Sequence, residues 1–213
     1  MNYLSNLWKA LDFDSMQSVL LRIASVLLCL VLHELCHGLT AYALGDPTAK
    51  MRHRLSLNPL HHIDWLGLAA MVFIGVGWAK PVPVNPNYFK KPKRGMALTA
   101  LAGPVSNFLL AFLLIFLLRF IYHGEMTTLT KFLLDTAILS VGLGIFNLIP
   151  IPPLDGSKIL AMFLPERAYK WLMFYESYGV VVVILLMSMG VMSDVLNRMI
   201  IWVVTQFCRI VGV

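Results

Sequence analysis

The sequence predicts an all-α polytopic membrane protein: a three-helix core accompanied by a re-entrant or β-hairpin element, with additional helices towards the C-terminus. Three observations lead there. The 213 residues are 59% hydrophobic and 13% charged, with a mean hydropathy of +0.77, whereas a water-soluble domain carries about 25% charge. The apolar residues fall in blocks at 16–44, 96–121, 132–151 and 171–192, each long enough to cross a bilayer, which takes about 17–25 residues. A fifth block at 199–213 is marginal. The basic residues are unevenly placed: eleven of the 17 Lys and Arg lie within 45–95 and 156–177, and only Lys9, Arg119, Lys131 and Arg198 flank the opposite connections. That asymmetry is the positive-inside pattern, which puts 45–95 and 156–177 in the cytoplasm.

Taken in order, residues 1–15 carry Leu4, Leu7, Trp8 and Leu11 at helical spacing with Lys9, Asp12 and Asp14 between them, the pattern of a helix lying in the interface. Asp12 and Asp14 stand where a secretory signal would be basic. The first core helix covers 16–44 and ends at Gly45-Asp46-Pro47; a polar loop follows over 48–65. The run "LGLAAMVFIGVGW" is too short to cross, and Gly75, Gly77, Pro81, Pro83 and Pro86 interrupt what comes after it. Residues 66–90 are therefore expected to enter and leave from one side as a re-entrant or edge-strand element. Such backbone is tolerated at depth only against protein or a wet cavity. The second core helix covers 96–121, "YHGEMTTLTK" turns, and the third covers 132–151, where Pro150, Pro152 and Pro153 stop it. A short helix near 165–176 leads into a further span, and 199–213 either crosses or lies flat. Three units result: an interfacial helix over 1–15, the membrane core over 16–177 and C-terminal membrane helices over 178–213.

Composition also excludes partners. The net charge of +6 sits in the connections of a membrane protein, so it predicts a lipid surface and no nucleic acid. The three cysteines, Cys29, Cys36 and Cys208, lie in apolar segments without disulfide spacing.

Within the first block stands "VLHELCHGL". His33 and His37 are four apart, so both imidazoles leave one face of a helix and can hold one metal ion. Glu34 is turned away from that face, too far to ligate but placed to take a proton from water at the metal. This is the HExxH arrangement of two zinc ligands and a general base. Two histidines satisfied in a buried core are the bland alternative, but each ionisable group in a membrane helix costs about 2.5–3.5 kcal/mol on insertion scales, and three together need a reason. Catalytic zinc takes a third protein ligand. Asp155 in "NLIPIPPLDGSK" can supply it, because the prolines unwind the helix end and Gly156 permits a sharp turn; alone, Asp155 would equally read as a turn or N-cap residue. Cys36 is set aside for its poor helical angle beside His37.

"HELCHG" followed by "LDG" on a later membrane segment resembles the site-2 protease family of intramembrane zinc metalloproteases. "LAGPVSNF" is similar to that family's middle core helix, "NLIPIPPLDG" to its third, and "NPLHHID" with "GWAKPVPVN" also fits, with Pro152 standing where the family's Asn is usual. The resemblance spans roughly 20–175 and points to a short form without an appended PDZ or CBS domain. It implies a catalytic three-helix core, one Zn2+ per chain held by His33, His37 and Asp155, Glu34 as catalytic base, and Asn107 and Asn147 positioning the substrate. It implies cleavage of a transmembrane helix of a protein substrate, in a bacterial or archaeal cell membrane, with the active site towards the cytoplasm. Two rival readings share the intramembrane histidines. A zinc transporter would need polar residues outward of His33, where 23–32 offers Ser25 and Cys29 alone. An idle chaperone of the same fold would be expected to have lost Glu34 or a ligand.

Overall fold

A computed structural model of the chain describes residues 16–62, 64, 80–188 and 193–212. Among them the protein is helical, with no strand: α1 (Met16–Ala43), the four-residue α2 (Thr48–Met51), α3 (Pro92–Ile121), α4 (Thr128–Asn147), α5 (Asp155–Ala161), α6 (Glu166–Ser188) and α7 (Ser193–Val211). Helices α1, α3 and α4 are long and apolar enough to cross a membrane. The outer face of α3 shows Leu109, Leu113 and Phe120 more than half exposed, which suits lipid and not water. This is an all-α polytopic membrane protein. The expected interfacial helix over 1–15 and residues 66–79 of the expected re-entrant element lie outside the described residues.

The helix boundaries have local causes. α1 stops at Gly45, whose φ of +105° is the left-handed turn that frees the chain from the helix. α3 starts four residues before the expected 96, because Pro92 occupies its first turn, where a missing N–H costs nothing. α4 begins at 128 and not 132, since the Thr127 hydroxyl accepts the Thr130 N–H and caps it. It ends at Asn147, short of the expected 151, as the residue before Pro150 is driven out of the helical region. The short helix and the span expected after 165 are one helix, α6, and the marginal last block belongs to a 19-residue helix, α7.

Three registered contacts fix the directions. Ser25 on α1 hydrogen-bonds Thr136 on α4 at 2.7 Å, while His33 meets Asn107 on α3, so α1 and α4 run parallel with α3 antiparallel to both. Phe112 and Phe207 pack edge to face at 5.4 Å. Seven residues beyond Phe112 along α3, Arg119 Nη1 donates to the Val211 and Gly212 carbonyls at the end of α7. α7 therefore runs alongside α3 in the same direction. The apolar core lies between α3, α4 and α7, around Ala111, Ile115, Leu118, Ala137, Val141 and Val211. The polar end of the bundle lies towards the other end of α3.

Candidate metal centre

The antiparallel register of α1 and α3 builds the site. Stepping by four along α1 gives His33 and His37; stepping by four along α3 gives Asn107, Gly103 and Thr99, which face them in reverse order. His33 Nδ1 lies 2.7 Å from Asn107 Oδ1, and His37 Nδ1 lies 2.7 Å from the Thr99 carbonyl oxygen. Gly103 makes room for both rings: a Cβ there would meet His37 Cε1 at 2.5 Å and His33 Cε1 at 2.6 Å. Pro104 withdraws one backbone donor from this turn of α3. Asn107 is itself held, its Nδ2 donating to Ser140 Oγ at 3.3 Å while Ser140 Oγ donates to the Asn107 carbonyl at 2.8 Å.

Asp155 arrives from the other side of the bundle. It is the first residue of α5, delivered by the turn from Leu148 to Leu154. Gly156 packs directly onto the Leu148 carbonyl, so a side chain there would open that turn. Asp155 Oδ2 then sits 3.2 Å from His33 Nε2 and 3.1 Å from His37 Nε2, and the two Nε2 atoms are 3.0 Å apart. All three residues are buried.

The donor inventory tests whether this triangle fits a metal. The Thr99 carbonyl can only accept, so His37 Nδ1 carries the proton. Asn107 Oδ1 faces His33 Nδ1 while its amide donates to Ser140, so His33 Nδ1 carries the proton too. In neutral rings both Nε2 atoms then present lone pairs. Two imidazole lone pairs and a carboxylate oxygen converge on one point, where they repel unless a cation sits among them. A tetrahedral ion with bonds of about 2.0–2.1 Å would space its ligands roughly 3.3 Å apart, within a few tenths of the observed edges. The residues fit zinc, and the Nδ1 partners are the outer-shell contacts that orient histidine ligands.

The remaining expected residues are placed differently. Glu34 is beside the triangle and not in it; its Oε2 accepts the Val82 N–H at 2.8 Å. Asn107 is buried, with Oδ1 at His33 Nδ1 and Nδ2 at Ser140. The half-buried Asn147 donates from Nδ2 to the Leu143 carbonyl at 3.0 Å, on its own helix. Cys36 is half-buried and is absent from the converging group. Thr99 was not foreseen, because it acts through a backbone carbonyl that no side-chain pattern reveals. Outward of His33, Ser25 and Cys29 are both turned to Thr136, at 2.7 Å to its hydroxyl and 3.8 Å to its carbonyl, so neither lines a polar path.

Comparisons with known proteins agree with this chemistry. A profile of Peptidase family M50 matches residues 121–191. The chain is 40% identical over 171 residues to "Putative zinc metalloprotease YwhC" of Bacillus subtilis (strain 168), covering 77% of this chain and 78% of that protein. It is 30% identical over 184 residues to "Putative zinc metalloprotease Rip2" of Mycolicibacterium smegmatis (strain ATCC 700084 / mc(2)155), covering 84% and 69%. A shorter stretch of 74 residues is 35% identical to "Protease RseP" of Photorhabdus luminescens, 31% of each chain. No solved structure matches. With a buried His-His-Asp triangle on membrane helices and these relatives, the chain belongs to peptidase family M50, the site-2 protease family.

Proposed function

We propose that the protein is an intramembrane zinc endopeptidase that hydrolyses peptide bonds in or beside the transmembrane helix of a protein substrate. The observation that carries this is the convergence of three acceptors, His33 Nε2, His37 Nε2 and Asp155 Oδ2, with both Nδ1 protons already committed. His33, His37 and Asp155 would hold one zinc ion per chain, and the ion would supply Lewis acidity and an acidified water at neutral pH. Glu34, one residue from His33 and outside the ligand set, takes the proton from the attacking water and returns it to the leaving amine. A helical substrate hides its carbonyls in backbone hydrogen bonds, so it unwinds locally before it is cut. Asn147 lies at the mouth of the turn that delivers Asp155, and releasing its bond to Leu143 would free an amide for the substrate carbonyl.

Glu34→Gln tests the assignment. A general base contributes about 10²–10⁴-fold, so cleavage of a membrane-anchored test substrate should fall below detection while bound zinc stays near one per chain. Full activity in that variant, or loss of its zinc, would reject the role given to Glu34.

The site lies near one end of the bundle: His37 is six residues from Ala43, roughly 9 Å at 1.5 Å per residue. The basic connections lie at that end, and we place them in the cytoplasm of a bacterial or archaeal cell. On a background lacking Cys29, Cys36 and Cys208, single cysteines at 50–56 and 90–94 should react with an impermeant thiol reagent only from the cytoplasmic side. Cysteines at 123–128 should react only from outside, and the opposite pattern would invert the orientation.

A further inference from the structure

Between Lys80 and Asn85 the chain reads Lys-Pro-Val-Pro-Val-Asn, and its backbone is tied down at four places. The Lys80 N–H donates to the His62 carbonyl at 2.9 Å. Arg54 Nη2 donates to the Lys80 carbonyl at 2.6 Å and to the Pro81 carbonyl at 3.3 Å. The Val82 N–H donates to Glu34 Oε2 at 2.8 Å. The Asn85 N–H donates to Asp46 Oδ2 at 2.6 Å, while Asp46 Oδ1 accepts from the Thr48 N–H at 2.9 Å. Pro81 and Pro83 have no N–H, so Val82 is the donor available between them.

Arg54 and Asp46 are unusual for charged residues in a connection. Both are buried, Arg54 at 8% and Asp46 at 0% relative exposure. Burial lowers the pKa of the Arg54 guanidinium while the negative charge of Glu34 opposes that. Its Nε is buried without a hydrogen-bond partner, a cost that a structure keeps only where the remaining contacts are needed. Gly38, one turn after Glu34, faces Leu55 and Val82: a Cβ there would meet Leu55 Cδ2 at 2.5 Å and Val82 Cγ1 at 3.2 Å. The helix surface beside Glu34 is thus shaped to receive this segment.

We propose that Arg54 is a positioning residue for Glu34. By gripping two successive carbonyls it holds the Val82 N–H against one carboxylate oxygen, which fixes the rotamer of the side chain that must meet the attacking water. Both bonds come from the one Nη2, so the ammonium of a lysine could keep part of the grip while the shorter, neutral glutamine could not. Asp46 anchors the far end of the segment at Asn85. This role rests on the proposal that Glu34 is the base, and it is separable from it.

The experiment uses the full chain in lipid vesicles, with a single-helix test substrate and, in parallel, backbone amide exchange of a peptide covering 80–85. Arg54→Gln should speed exchange at Val82 at least tenfold, lower kcat at least tenfold, and leave KM and bound zinc unchanged. Arg54→Lys should recover part of both losses. Val82→Pro, which deletes the donor and keeps Arg54, should lower kcat to a similar degree. Unchanged Val82 exchange in Arg54→Gln would overturn the proposal, as would a kcat equal to wild type in either Arg54→Gln or Val82→Pro. A loss of zinc or a raised KM accounting for the whole effect would also overturn it, since a general structural role predicts that result. If Glu34→Gln cleaves normally while Arg54→Gln still loosens Val82, the reading of Glu34 fails and the grip of Arg54 on the segment stands as a structural fact without a catalytic role.

Discussion

Around Ile115, α3 meets α4 and α7 through side chains without a polar atom: Leu114, Leu118, Leu133, Ala137 and Val141 close over one another. Twelve residues earlier on the same helix, around Gly103, nearly every contact is polar and single-valued: one nitrogen, one oxygen, one partner. Lipid tails are as apolar as leucine, so the first region gains from close packing and not from leaving water. Many side chains of the right volume would serve there. At the second region, each buried polar atom left alone costs on the order of 1–3 kcal/mol, so the partners specify one another. The membrane interior makes the polar end the part that fixes geometry and the apolar end the part that holds the helices beside it.

The largest expected effect that separates the two regions is at Asp155. Asp155→Ala removes a ligand that the imidazoles alone cannot replace. Zinc affinity should fall more than about 100-fold, beyond the range for outer-shell changes, as measured by competition with a chromophoric chelator. Unchanged affinity would move the third ligand elsewhere, with Cys36 the first candidate. Next comes a matched pair of glycines. Gly103→Ala drives a methyl into both imidazoles, whereas the same change at Gly142 meets only the Ile200 Cδ1 at 3.3 Å. The first should weaken zinc binding by roughly 10–100-fold, the scale of losing outer-shell support. The second, on the face of α4 turned towards α7, should leave it within about twofold. Equal losses would show that the close fit at Gly103 is not what sets the affinity. Among the changes that touch the triangle, the smallest effect belongs to Asn107, whose removal leaves His33 in place but frees its ring to rotate. Asn107→Ala should cost about tenfold in zinc affinity and Asn107→Asp less, because a carboxylate still accepts the Nδ1 proton.

That division also explains what could be read from the sequence. His33, Glu34 and His37 stood out because charge in an apolar helix is costly, and Asp155 because prolines and a glycine surround it. The three core helices were legible from the length of their apolar blocks. Their ends were displaced by four residues wherever a cap decided the matter, at Pro92, Thr127 and the residue before Pro150. Arg54 and Asp46 were read only as loop charges, since nothing in sequence distinguishes a charge that faces water from one clamped onto a backbone 26 or 39 residues away. The carbonyl of Thr99 left no trace at all. Asn107 was noticed through family resemblance, as a residue for the substrate; its bond to His33 depends on the register of α1 against α3, which no single helix encodes.

The Arg119 cap on α7 settles a matter of counting. Because α7 runs in the direction of α3, its first residue, Ser193, stands at the end of the bundle where α4 finishes. The path from Asn147 to Ser193 therefore begins and ends on one face, and its crossings must be even in number. Within it α5, seven residues long, cannot cross, and α6 alone would make the count odd. For all its 23 residues, α6 stays on the face it starts from. Of the helices long and apolar enough to cross, α1, α3 and α4, α1 begins and α3 ends on the face away from Asp155, and α7 brings Val211 to that same face. A domain joined at Met16 or Val211 would be divided from the metal side by most of the hydrocarbon thickness, about 30 Å, and could reach a substrate only on the far leaflet.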